Sequence, residues 1–155
     1  MHEGFCGRRN GYMQIEYFKD LPLSGQVIRA IEELGFRNLF PIQAQAIPPL
    51  LEGKDVIGQA QTGTGKTAAF GIPMLERIDP RDRSVQGLVL APTRELAVQV
   101  AEHIGRLGKY AGFRVLPVYG GESIGKQIRA LQEGVQVVVG TPGRMIDLLV
   151  RRVLN

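Results

Sequence analysis

Lys66 and Thr67 follow a loop of small residues, Ala60-Gln61-Thr62-Gly63-Thr64-Gly65, and this combination has a definite chemistry. Glycines let backbone N–H groups turn inward around an anion with no Cβ in the way. A helix that opens at Lys66 points its positive end at the same anion. Lys66 can then reach β- and γ-phosphates, while the Thr67 hydroxyl can ligate Mg²⁺. The apolar run Asp55-Val56-Ile57-Gly58-Gln59 stands just ahead, so the order is strand, glycine loop, Gly-Lys-Thr and helix, which is a P-loop. Ala60 to Thr67 are therefore assigned to nucleotide phosphates, Lys66 and Thr67 to catalysis, and Thr67 to the metal. Ala60 stands where the G-x-x-x-x-G-K-[ST] pattern usually has Gly. From average residue usage, a Gly or Ala at that spacing arises by chance in roughly 1% of chains this long. The bland alternative is a flexible turn between two elements.

Three further stretches place polar residues just after apolar runs: Pro92-Thr93-Arg94-Glu95, Gly120-Gly121-Glu122 and Thr141-Pro142-Gly143-Arg144. Ligands of open α/β sheets bind beyond the carboxyl ends of the strands. Backbone N–H groups beside Arg94 and Arg144 suit a phosphodiester chain. It is equally consistent that Thr93 and Thr141 only cap helices and that both arginines are solvated.

The elements that must position these residues follow from periodicity. Val27, Ile28, Ile31 and Leu34 share a helical face over 23–34, with Ser24 as N-cap and Gly35 as stop. A second helix spans 41–51, with Pro41 in its first turn and Pro48-Pro49 limiting or bending it. Beyond it, strands are predicted at 55–59, 87–91, 113–119 and 135–139. Helices are predicted at 66–78, 93–110, 123–133 and from 142 onward. Leu96, Ala97, Val100, Ile104 and Leu107 are expected to face inward, as are Met145, Ile146, Leu148 and Leu149. Runs such as Leu88–Leu90 and Val137–Val139 suit strands covered on both faces. Strands alternating with helices give right-handed crossovers and a parallel sheet. The expected fold is one α/β domain with four strands, mostly parallel, flanked by helices, and a helical N-terminal annex.

The chain has 155 residues, 44% hydrophobic and 22% charged, ordinary values for a globular domain with a real core. Its net charge of +4 permits a polyanionic partner without requiring one. A lone cysteine, Cys6, excludes an internal disulfide framework and fits a reducing compartment. No run reaches transmembrane length, and the N-terminus lacks the apolar core of a signal peptide, so the cytoplasm is the expected location. Residues 1–15 show no periodicity and are expected to form a disordered tail, in which Met13 is a possible alternative start. His2 and His103 lack metal-ligand spacing and are expected at the surface. Phe70, Phe113 and Tyr119 are expected in the core.

Gly35-Phe36-Arg37-Asn38-Leu39-Phe40-Pro41-Ile42-Gln43 resembles the Q motif of DEAD-box RNA helicases, and Phe18 stands where that family keeps an isolated upstream aromatic. Ala60 to Thr67 is similar to motif I of that family, which uses Ala at the first position. Pro92-Thr93-Arg94-Glu95-Leu96-Ala97 resembles motif Ia, Gly120-Gly121 the GG element, and Thr141-Pro142-Gly143-Arg144 motif Ib. The resemblance runs in order from Phe18 to the C-terminus. It implies that Gln43 holds adenine through its amide and that Phe18 stacks on the base, adding both to the ATP site. It also implies that Pro92, Thr93, Arg94, Gly120, Gly121, Thr141, Pro142, Gly143 and Arg144 grip an RNA backbone without reading bases. ATP and Mg²⁺ are the implied cofactors, and RNA is the implied partner. One departure is visible: the usual Pro-Thr of the Q motif is Leu39-Phe40 here.

The implied organisation is a tail at 1–15, a Q-motif annex at 16–53, and part of a first RecA-like ATP-binding domain at 54–155. A P-loop ATPase also needs a carboxylate after a second core strand and a group that orients water. None of Asp20, Asp55, Asp79, Asp82 and Asp147 directly follows an apolar strand, and Glu122 belongs with the Gly120-Gly121 turn. In the family the Asp-Glu-Ala-Asp box lies on a strand after the motif Ib helix, and the expectation is that this chain stops before it. The second RecA-like domain is then absent too. Two readings follow: the front part of an ATP-dependent RNA helicase, or a fragment that binds nucleotide or RNA without hydrolysis. A third, a small-molecule kinase, lacks a recognisable acceptor site and lid.

Overall fold

Ser24 opens the first helix as its position predicts, its Oγ accepting the Val27 amide. In a computed structural model that describes residues 15–154, this helix, α1, spans Gly25–Glu33, and Gly35 leaves it at φ +78°. The segment before it makes a 3-10 turn at Phe18–Asp20. Helix α2 spans Pro41–Leu51 and passes through Pro48 and Pro49 before it stops. Helix α3 (Lys66–Leu75) follows the glycine loop. Then come β1 (Gly87–Leu90), α4 (Arg94–Leu107), β2 (Val115–Val118), α5 (Ile124–Gln132), β3 (Val137–Gly140) and α6 (Pro142–Val150). The expectations for the tail, for His2, Cys6 and Met13, lie outside the described residues. Ile15, the last residue of that expected tail, packs on the core. Among the described residues, no helix is long and apolar enough to cross a membrane.

The sheet has the order β1-β3-β2, all parallel. Its register puts Leu90, Gly140 and Val118 in one row. The three turns that leave the strands therefore start side by side, and this alignment assembles the row of polar residues described below. Strand β3 is buried throughout, and its alternation sends side chains to opposite faces. Val137 and Val139 join Ile72, Ile104 and Leu107 in one apolar cluster. Val138 joins Val118, Leu131 and Leu148 in the other. Each fully buried Ile or Leu contributes about 1.5–3 kcal/mol, so these two clusters hold α3 and α4 on one side and α6 on the other.

Four expectations need correction. Residues 55–59 form no regular element and pair with no strand of the sheet, which has three strands among the described residues and not four. The segment is exposed and approaches α2 at Gly58, where a Cβ would stand 3.1 Å from Ile42 Cδ1. Strand β1 is not covered on both faces: Leu88 and Leu90 are 53% and 59% exposed, since β1 is an edge strand and, among the described residues, no element lies over that face. Leu96 is exposed for the same reason, and it lines a groove between α2, α3 and β1. On α6 the inward stripe is narrower than its composition suggests: Met145 and Leu148 are buried, whereas Ile146 and Leu149 are not. Among the described residues the outer edge of β1 is unpaired. Such edges and apolar surfaces favour association with another chain.

Glu33, at the end of α1, accepts hydrogen bonds from Lys109 and Tyr110 beyond α4, and Arg29 lies over the Tyr110 ring at 4.0 Å. The bond from Lys109 and then that from Tyr110 hold the Glu33 carboxyl below its ordinary value of 4.5. A depressed carboxylate pKa adds stability that is present above the unfolded value and is lost as pH falls through the folded one. Acid titration of unfolding should therefore show Glu33→Gln losing less stability than the parent below pH 4.5. Parallel acid curves for the two proteins would contradict this link. The group is exposed, so the difference is small.

Candidate nucleotide site and nucleic-acid interface

The loop before α3 is shaped by two glycines in the left-handed region, Gly63 at φ +78° and Gly65 at φ +80°. The Thr64 hydroxyl donates to the Gln61 carbonyl at 2.7 Å and tightens the turn. Helix α3 begins directly at Lys66, so its first amides have no carbonyl within the helix to bond. The Lys66 ammonium donates to the Ala60 carbonyl and, at 2.7 Å, to the Gln61 carbonyl, curling over the loop. This concave backbone with a lysine above it fits a phosphate group. Lys66 and Thr67 also line a groove of about 430 Å³ with Ile42, Phe70, Leu90 and Leu96. No carboxylate is among its described lining residues.

Gln43 is 2% exposed, and its carboxamide spans two segments. Its Oε1 accepts the Phe40 amide at 2.9 Å, and its Nε2 donates to the Gly65 carbonyl at 3.1 Å. Those two partners settle the orientation of the amide, because exchanging O and N would oppose like groups at both ends. One proton on Nε2 and one lone pair on Oε1 remain. The expected adenine-holding residue thus sits against the last glycine of the loop. Phe18 is 3% exposed, stacks on Phe36 with ring centroids 6.4 Å apart, and lines a second cavity with Tyr17, Arg37 and Asn38. That cavity shares no lining residue with the groove at Lys66. His103 is not a plain surface residue. It lies against Phe36, with centroids 6.3 Å apart, and burial followed by the charge of Arg106 pushes its pKa down.

At the carboxyl ends of the strands, the predicted residues do come together. Thr93 caps α4 by accepting the Leu96 amide at 3.2 Å. The Arg94 guanidinium lies over the Tyr119 ring at 4.7 Å, and its Nη1 stands 3.6 Å from where a Gly121 Cβ would be. Gly121 itself has φ +81°. Arg144 donates to Gln127 Oε1 at 2.7 Å and to the Glu122 carbonyl at 3.2 Å. Thr141 occupies the N-cap of α6 with Pro142 next, but its hydroxyl accepts no helix amide, so it does not cap as expected. Pro92, Gly120, Pro142 and Gly143 are exposed around this cluster. Tyr119 is half-buried and serves as a platform for Arg94, in contrast to Phe70 and Phe113, which pack on the core as expected.

Gln127 is the residue that motif reading misses. It is 4% exposed, donates to the Tyr119 carbonyl at 3.1 Å, and accepts from Arg144. It thereby fixes the Arg144 fork against the turn that carries Gly121. A signal was available: Gln127 falls on the face of α5 shared by Ile124, Ile128 and Leu131, where a polar residue needs a partner.

Comparison with known proteins agrees with this geometry. The DEAD/DEAH box helicase family description matches residues 40–155. The DEAD-box ATP-dependent RNA helicase CshA of Bacillus cereus is 53% identical over 138 residues, covering 89% of this chain and 26% of that protein. CshA of Geobacillus kaustophilus is 56% identical over 138 residues, covering 89% of this chain and 30% of its own length. The crystal structure of a DEAD box protein from Methanococcus jannaschii matches with a TM-score of 0.86 and 39% identity, over 91% of this chain and 39% of that one. The structure of a hypothetical ATP-dependent RNA helicase from Sulfolobus tokodaii matches with a TM-score of 0.76 and 42% identity, over 85% of this chain and 38% of that one. The chain spans about a quarter of the length of the curated relatives in Bacillus cereus, 26%.

Proposed function

The chain belongs to the DEAD/DEAH box helicase family, and we propose that it forms the ATP- and RNA-binding front portion of an ATP-dependent RNA helicase. Residues 16–53 act as the annex that brings Gln43 to the loop, and residues 54–155 as part of a RecA-like nucleotide-binding domain. The observation that carries this reading is the aligned row of Arg94, Gly121 and Arg144 at one end of the same sheet whose helix α3 opens at the glycine loop. The loop amides and Lys66 hold the phosphates. The Thr67 hydroxyl would offer one oxygen to a Mg²⁺ ion bound with the nucleotide, which would offset the charge of the phosphates. Thr93, Arg94, Thr141 and Arg144 meet the RNA backbone through phosphates, which carry no sequence information. In the intact protein, ATP hydrolysis couples closure of two RecA-like domains to local strand separation. The same reading puts the protein in the cytoplasm.

The test is RNA binding against salt. Anisotropy titrations with single-stranded RNAs of unrelated sequence should give similar affinities that fall steeply with salt. Arg94→Ala and Arg144→Ala should each reduce the slope of log K against log salt by about 0.7, the value for one phosphate on a single strand. Unchanged slopes in both variants would refute the assignment of this face to RNA.

A second reading draws support from the groove at Lys66 and Thr67, with no carboxylate among its described lining residues. By that reading the 155-residue chain binds ATP and does not turn it over. Steady RNA-stimulated phosphate release from the purified chain would count against it.

A further inference from the structure

Phe40 stands at the N-cap of α2, where its side chain has no atom to accept an amide. Its own N–H is taken up by Gln43 instead. The residue is 45% exposed. It is also held close to the glycine loop: a Cβ on Gly65 would lie 3.1 Å from Phe40 Cδ2 and 2.2 Å from Gln43 Nε2. An aromatic ring and a carboxamide therefore converge on the last glycine before Lys66. Gly65, at φ +80°, leaves them the room, which any side chain there would fill. Phe18, the other aromatic assigned to the base, has almost no exposed surface and already stacks on Phe36.

We infer that Phe40 supplies the stacking surface for the purine of the nucleotide held by loop 60–65. This rests on the nucleotide reading above and adds to it the side chain that senses the base. A ring pinned at one edge and open to solvent loses little freedom when a flat base lies against it, and base–aromatic contact tolerates any π-face. Phe40 then contributes to affinity for the base, while Lys66 and the loop amides contribute to affinity for the phosphates. The two contributions separate by experiment.

The experiment is competition of ADP and of tripolyphosphate against a fluorescent ADP analogue, using the parent chain, Lys66→Ala, Phe40→Leu, Phe40→Thr and Phe40→Trp. Phe40→Leu keeps an apolar side chain against Gly65 and removes the ring, so it decides the matter even if Phe40→Thr unfolds. The expected result is about tenfold weaker ADP binding by Phe40→Leu. Tripolyphosphate binding should stay within about twofold and Phe40→Trp should bind as the parent does, on the same energetic grounds. Equal losses for ADP and tripolyphosphate would show that Phe40 only shapes the loop and would overturn the inference, as would parent-like ADP binding by Phe40→Leu. If Lys66→Ala binds the analogue as the parent does, the nucleotide reading itself fails. That outcome is distinct, because it does not involve Phe40.

Discussion

Lys66→Ala is expected to weaken ADP binding by about 10- to 150-fold, the range equivalent to losing one or two hydrogen bonds from a charged donor. The ammonium already bonds the Ala60 and Gln61 carbonyls, so it sits at the mouth of the loop before any anion arrives. A phosphate exchanges neutral carbonyl acceptors for charged oxygens, which form shorter and stronger bonds with a lysine. Removing the side chain deletes that exchange and also unties the two loop carbonyls. The variant should therefore bind poorly and also show a loop that is easier to open. Isothermal titration measures the first effect, and amide exchange at Gly63 and Gly65 measures the second. Binding within threefold of the parent would mean that the loop does not hold phosphate.

Gly140→Ala should cost about 3 kcal/mol of stability, the upper end of what overpacking does. Gly140 ends β3 between Leu90 and Val118, immediately before Thr141. A Cβ there would stand 2.4 Å from Val118 Cγ2, 2.6 Å from the Val118 carbonyl oxygen and 2.8 Å from Met145 Cε. The methyl groups can turn aside, but the carbonyl oxygen belongs to the strand and cannot. Relief requires β2 and β3 to separate at the end where the polar row is assembled. The melting temperature should fall by roughly 6–12 °C for a chain of this size, and RNA binding should weaken in the fraction that stays folded. A loss below about 0.5 kcal/mol, typical of surface changes, would show that this end of the sheet is looser than described.

The parts legible in the sequence are those decided locally. Ser24 and Thr93 accept amides three residues on, and Gly35 leaves α1 through a positive φ, because caps and stops depend on the chain within one turn. The turn from Ala60 to Gly65 and the helix that opens at Lys66 are legible for the same reason: Gly63 and Gly65 take the positive φ that the turn requires. What the sequence could not decide was which faces are covered. Leu88, Leu90 and Leu96 read as core, yet their exposure depends on whether another element packs there, and none does among the described residues. Val56 and Ile57 read as a strand, yet a strand exists only with a ladder partner. Gln127 reads as an ordinary helix polar residue and Gln136 as part of a strand over 135–139. In the fold Gln136 ties the Arg114 amide to the Asp82 carbonyl, as Gln127 ties Tyr119 to Arg144. Together with Gln43 they are the buried polar side chains among the described residues, and each bonds through both ends. Phe40 departs from the motif, and only the fold puts its ring against Gly65.

The central claim, that residues 60–67 with Gln43 form an adenine-nucleotide site, is tested most directly by amide chemical-shift mapping as ADP is titrated into the labelled chain. The expected result is saturable shifts concentrated at Gly63, Gly65, Lys66, Thr67 and the side-chain amide of Gln43, with smaller ones at Phe40. Shifts confined to the cavity at Phe18 and Phe36, or no saturable shift at Gly63 to Thr67, would contradict it.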